Sequence, residues 1–236
     1  MLDFDKLSDI INLLSDFMEI RLLKFQCIDK IPKKNFIKTI KDNYYKYDGF
    51  VVCHGTDTMA YTAAALSYLI QGSSKPIVLT GAQKPIGFEI TDAKANLRDS
   101  ILYATDDESM GVQIVFDGEV ITGTRAKKTK SLSYAAFSSI NYPLLASIHE
   151  GRIIRYMKQK KPETAPVFYD KLNKKVFLLK LTPGISPVLL PEIFKNYDAI
   201  IIESFGVGKK RHVCEETVHY RTENEAKRDA SLEFAD

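Results

Sequence analysis

Two stretches carry side chains able to do chemistry. The first is His54-Gly55-Thr56-Asp57-Thr58, which follows the apolar run Phe50-Val51-Val52-Cys53. A hydroxyl on Thr56 and a carboxylate on Asp57 stand at a strand end, beside the first backbone N–H groups of a helix-compatible segment from Ala60 to Leu69. Such a turn is able to hold a small anionic ligand. It is equally explained as a helix cap made by Thr56 or Asp57. The second stretch is Lys127-Lys128-Thr129-Lys130, whose ordinary reading is a solvated basic turn. His54 reads as a partly buried, hydrogen-bonded side chain rather than a base. His212, Cys214 and His219 lack a fourth ligand at a familiar spacing and do not make a metal site.

The elements that must position these groups follow from hydrophobic period and punctuation. Helical spacing covers residues 5–20, a short strand covers 21–27, and Pro32 opens a helix with Phe36, Ile40 and Tyr44 on one face. Phe50–Cys53 and Ile77–Leu79 read as buried strands. The second of these ends in Thr80-Gly81-Ala82-Gln83. A helix capped by Thr91 or Asp92 runs to about Ala104, with Asp92 and Asn96 one turn apart. Val112–Phe116 and Val120–Thr122 flank Asp117-Gly118, a hairpin signal. The alternation of helix and strand predicts an α/β fold, a parallel sheet with helices on both faces of flavodoxin-like or Rossmann-like type. Ligands of such sheets bind at the carboxyl ends of the strands.

The chain has 236 residues and 45% hydrophobic content, enough for a large domain plus a small one. Its formal charge of +3 does not argue for nucleic acid or a membrane surface. The three cysteines, Cys27, Cys53 and Cys214, are sparse and unpaired in spacing, as in reduced cytoplasmic proteins. No signal-peptide pattern or membrane-length apolar run is evident. The expected organisation is a domain over 1–155, a Lys- and Pro-containing linker over 156–174, a partial second α/β domain over 175–208, and a polar tail over 209–236.

His54-Gly55-Thr56-Asp57-Thr58-Met59 resembles the second threonine motif of the bacterial-type L-asparaginases, and Tyr61–Ser67 looks most like their cytosolic type I branch. The resemblance continues through Thr80-Gly81-Ala82-Gln83, Asp92-Ala93 with Asn96-Leu97, Gly123–Lys128, Ala136–Ser139, Leu181–Gly184 and Glu203–Gly208. It implies hydrolysis of L-asparagine to L-aspartate and ammonia without metal or organic cofactor, in a cytoplasmic homodimer or tetramer. It implies that Thr56, Asp57 and Lys128 are catalytic, the lysine being picked out from Lys127 and Lys130 by the Gly-x-Arg-x-x-Lys spacing. It implies that Thr56 and Asp57 also bind substrate, that Asp57 holds the substrate's α-amino group, that the Ala82 carbonyl contacts its side-chain amide, and that Asp29 matches a carboxylate-binding pair. The segment Glu203–Gly208 would reach a neighbouring subunit's site.

The sequence also departs from that pattern. The family's first strand ends in Thr-Gly-Gly-Thr-Ile, which carries the primary nucleophile and has no counterpart in these 236 residues. Lys30 stands where the family places a serine, and the residues after Gly208 match nothing in it. The expectation is a chain truncated at its start and aberrant at its end, weakly active or inactive. Two alternatives share the motifs: the asparaginase-like subunit of archaeal glutamyl-tRNA(Gln) amidotransferase, and a non-catalytic amino-acid-binding paralogue.

Overall fold

A computed structural model of the chain describes residues 34–204 and two short strands, His219–Tyr220 and Ala230–Ser231. The helix expected over 5–20, the strand over 21–27, Asp29, and Gly206–Gly208 lie outside the described residues. The chain divides into two compact units between Lys171 and Leu172.

The first unit opens with helix α1 (Lys34–Asn43), then strand β1 (Phe50–Cys53), helix α2 (Met59–Leu69) and strand β2 (Ile70–Gln71). Strand β3 (Pro76–Thr80), helix α3 (Ala93–Ala104), and strands β4 (Gly111–Phe116) and β5 (Glu119–Thr122) follow. The remaining strands of the unit are β6 (Ala126–Lys128), β7 (Phe137–Ser139), β8 (Ala146–His149), β9 (Arg152–Arg155) and β10 (Val167–Phe168).

The main sheet has the order β1-β3-β4-β5-β8-β9. Residues on successive strand positions point to opposite faces, so each strand feeds two cores. Phe50, Val52, Ile77, Leu79, Ile114 and Phe116 pack with α1 and α2 on one face. Val51, Val78, Val115 and Val120 pack with Leu97 and Ile101 of α3 on the other. The near-continuous apolar reading of β1 and β3 is therefore the mark of strands covered on both faces. Phe36, Ile40 and Tyr44 are buried together, as their spacing predicted.

The sheet is mixed: the expected parallel strands are present, and antiparallel strands extend them beyond the expected hairpin. β1, β3 and β4 are mutually parallel, whereas β5, β8 and β9 run antiparallel to their neighbours. The Asp117-Gly118 turn forces the reversal: both residues have positive φ, 52° and 73°, as a two-residue hairpin requires. A second turn of the same kind, Glu150-Gly151 with φ 50° and 73°, joins β8 to β9. The stretch expected to be a linker carries β10, which pairs antiparallel with β2. The Phe168 ring there lies edge-on to Tyr44, with centroids 5.4 Å apart.

The second unit contains a βαβ element. β11 (Val176–Lys180) pairs parallel with β12 (Ala199–Glu203). A 3-10 turn (Pro187–Leu189) and helix α4 (Leu190–Asn196) connect them. The strands β13 (His219–Tyr220) and β14 (Ala230–Ser231) pair antiparallel.

Candidate active site

Two strand ends lie side by side. Cys53 of β1 is in register with Thr80 of β3, and the His54 N–H donates to the Thr80 carbonyl at 2.7 Å. The turn carrying Thr56 and Asp57 therefore sits next to the turn carrying Ala82 and Gln83. Gly81 permits this approach: a Cβ there would lie 2.2 Å from the His54 carbonyl oxygen and 2.8 Å from the Met59 side chain. Both turns stand at carboxyl ends of parallel strands, where an α/β sheet has room for a ligand.

Lys128 comes from the far end of β6, which pairs antiparallel with β7 in a separate two-stranded ribbon. Strand alternation decides which lysine faces the site. Lys127 is exposed, while Lys128, one residue on, is half-buried. Its Nζ donates to Asp57 Oδ1 at 2.7 Å and to Thr56 Oγ1 at 2.8 Å. Gly123 lets the chain between β5 and β6 pass close to α2, since a Cβ there would meet Ser67 Oγ at 2.7 Å and the Ala63 carbonyl at 3.1 Å.

The structure thus brings Thr56, Asp57 and Lys128 together across 72 residues of sequence. Asp57 is exposed, and the adjoining Lys128 hydrogen bond and charge hold its carboxyl below the ordinary carboxylate range. An open groove beside it is lined by Asp57, Tyr61, Arg125, Lys128 and Ser131. Ala82 lies half-buried in the adjacent turn. Asp29 falls outside the described residues, so the expected carboxylate contact has no geometry.

Neither Thr56 nor Asp57 caps α2, which corrects one sequence expectation. The N-cap position belongs to Thr58, and its side chain makes no capping hydrogen bond. The Thr56 hydroxyl instead donates to Gln83 Oε1 at 3.1 Å. His54 is satisfied locally: Nδ1 lies 2.7 Å from the Gly55 carbonyl and Nε2 2.9 Å from Thr62 Oγ1. Asp92 and Asn96 tie the neighbouring turns together. The Asp92 carboxylate accepts from the Gln83 and Lys84 backbone N–H groups. Asn96 Nδ2 donates to the Gly81 carbonyl at 2.9 Å, and its Oδ1 accepts from Asp117 N–H at 2.9 Å. Gln83 is the residue that sequence reasoning missed. It stood inside a quoted motif, but nothing in its type or spacing told a contact residue from a turn residue.

Among the described residues no cluster of His, Cys, Asp and Glu could hold a metal ion. No helix among them is long and apolar enough to cross a membrane.

Residues 14–161 match the family model described as asparaginase, N-terminal. The chain belongs to the asparaginase family. The L-asparaginase of Thermococcus kodakarensis is 36% identical over 171 residues, which is 72% of this chain and 52% of that protein. A glutamyl-tRNA(Gln) amidotransferase subunit of Methanosphaera stadtmanae is 39% identical over 175 residues, 68% of this chain and 39% of that protein. The solved structure of the thermostable T. kodakarensis L-asparaginase superposes with a TM-score of 0.72 at 35% identity. That superposition covers 76% of this chain and 55% of the other. The chain thus spans about half the length of the T. kodakarensis L-asparaginase. That protein's α/β fold is the fold seen here, and Thr56, Asp57, Lys128 and Gln83 all fall within the part of the chain matched by the family model.

Proposed function

We propose that this chain is an amidohydrolase whose site acts on L-asparagine, giving L-aspartate and ammonia. One observation carries the reading: a single lysine, Lys128, bridges a hydroxyl and a carboxylate at the mouth of two parallel strands. Asp57 accepts the substrate's α-ammonium group while orienting Lys128. It is ionised at neutral pH, as an ordinary carboxylate is, Lys128 lowers its pKa further, and its second oxygen has no partner among the described residues. Lys128 moves a proton at the scissile amide, and Thr56 offers its hydroxyl to the ligand. The Ala82 carbonyl in the next turn takes the side-chain amide N–H. The reaction uses no metal or organic cofactor. The working form is a homodimer or tetramer in the cytoplasm, which agrees with the sparse cysteines.

Calorimetry with L-aspartate and L-asparagine, paired with an ammonia-release assay, tests this. Asp57→Asn removes the charge that would hold the α-ammonium group and should weaken L-aspartate binding by roughly 10-fold. Failure to bind either amino acid rejects the proposal. The match to an amidotransferase component favours one competing reading, which ammonia release only in the presence of a tRNA-linked partner would support.

A further inference from the structure

Gln83 has all its amide groups fixed by partners of known polarity. Its Nε2 donates to the Ser131 carbonyl at 2.9 Å and to the Ser133 carbonyl at 3.0 Å. Carbonyl oxygens only accept, so the amide cannot be reversed without setting Oε1 against two acceptors. Oε1 therefore faces the turn after β1, and it too only accepts. The Thr56 hydroxyl, 3.1 Å away, must donate to it. A hydroxyl has one proton. With that proton directed at Gln83, the 2.8 Å contact on the other side is made by Lys128 donating to the Thr56 oxygen. The Gln83 backbone is anchored separately, its N–H lying 2.8 Å and 3.1 Å from the two Asp92 oxygens. The side chain thus reaches Thr56 from a fixed base.

We propose that Gln83 is a positioning residue that sets the polarity of Thr56. It draws the hydroxyl proton away from Lys128 and leaves one lone pair for Lys128 and the other for a ligand donor. In this state Thr56 serves as an acceptor and not as a nucleophile. Passing its proton to Lys128 would first require breaking the bond to Gln83. Because Gln83 is oriented by Ser131 and Ser133, the loop between β6 and β7 takes part in setting that polarity. The inference deepens the reading of this site as an amino-acid site and rests on it for the ligand's chemistry.

Neutron diffraction from deuterium-exchanged crystals of the full chain locates the proton directly. The expected result is a deuteron on Thr56 Oγ1 directed at Gln83 Oε1, with the Gln83 amide deuterons directed at Ser131 and Ser133. A deuteron directed at Lys128 Nζ, or a reversed amide, overturns the assignment. L-aspartate calorimetry reads the positioning effect. Gln83→Met frees the hydroxyl to rotate and should weaken binding about 3- to 10-fold, the range of one ordinary hydrogen bond. Gln83→Glu should weaken it at least as much, because a carboxylate would face the Ser131 and Ser133 carbonyls. Unchanged affinity in a folded Gln83→Met variant overturns the positioning role. If the unmodified chain binds no L-aspartate, the proposed substrate fails, and the deuteron positions alone decide the assignment of Gln83.

Discussion

Replacing Asn96 by aspartate should unsettle the site from beneath while changing almost no volume. Asn96 is 1% exposed on α3. Its Nδ2 donates to the Gly81 carbonyl at 2.9 Å and to Asp92 Oδ2 at 3.2 Å, and its Oδ1 accepts from the Asp117 N–H at 2.9 Å. Aspartate preserves the last bond and exchanges the donor for an oxygen. The Gly81 carbonyl then loses its side-chain donor, and a second carboxylate stands in hydrogen-bond range of Asp92. An unsatisfied buried acceptor costs about 1–3 kcal/mol, and two like charges this close add about 4–5 kcal/mol at an effective dielectric constant near 20 while both stay ionised. The expected loss is about 5–8 kcal/mol at neutral pH with both carboxylates ionised, or roughly 10–30 °C in midpoint for a domain of this size. Urea melts at about pH 7.5 and pH 5 would measure it. Burial and the Asp92 charge raise the folded-state pKa of the introduced carboxyl above its unfolded value. The folded variant therefore binds the extra proton more readily, so its deficit should be greatest above the folded pKa and shrink as pH falls. A deficit below about 1 kcal/mol would refute this account of how α3 supports the Gly81–Gln83 turn, on the grounds that unsatisfied buried acceptors are costly. So would a deficit that grows on acidification.

Two further outcomes follow from the site. In a carboxyl NMR titration, Asp57 should have a midpoint below the ordinary carboxylate range and return toward it in Lys128→Met, since Lys128 is the cause of the depression. The stabilisation this pair contributes should be present above the unfolded carboxylate pKa and disappear as pH falls through the folded one; an Asp57 midpoint indifferent to Lys128→Met would contradict the pairing. Gly81→Ala should cost about 1–3 kcal/mol by overpacking, because its Cβ would meet backbone rather than a flexible side-chain tip. Its L-aspartate affinity should fall as well, and a stable variant with unaltered binding would show that the two turns need not be so close.

Much of this protein was legible in its sequence because the signals are local. The helix through Phe36, Ile40 and Tyr44, the buried strands ending at Cys53 and Thr80, and the Asp117-Gly118 hairpin each rest on period or on backbone preferences of a few residues. The family's Gly-x-Arg-x-x-Lys spacing pointed to Lys128 among three neighbouring lysines, and the fold sets that lysine against Thr56 and Asp57. What tertiary structure decided was everything that depends on pairing between distant segments. The pairing of β5 with β8 and the hairpin at Glu150-Gly151 carried the antiparallel part of the sheet beyond the one reversal expected at Asp117-Gly118, because a strand's direction is set by its partner and not by its composition. Thr56 and Asp57 read equally as a ligand-holding turn and as helix caps, since a hydroxyl and a carboxylate before a helix ordinarily bond its first N–H groups. Here Gln83 and Lys128, 27 and 71 residues away, take those side chains instead. Gln83 itself had no sequence signature, because its part in the site depends on two carbonyls of a loop 48 and 50 residues further along the chain. A hydrogen-bonding side chain acquires its polarity from its partners, and only the fold brings those partners within reach.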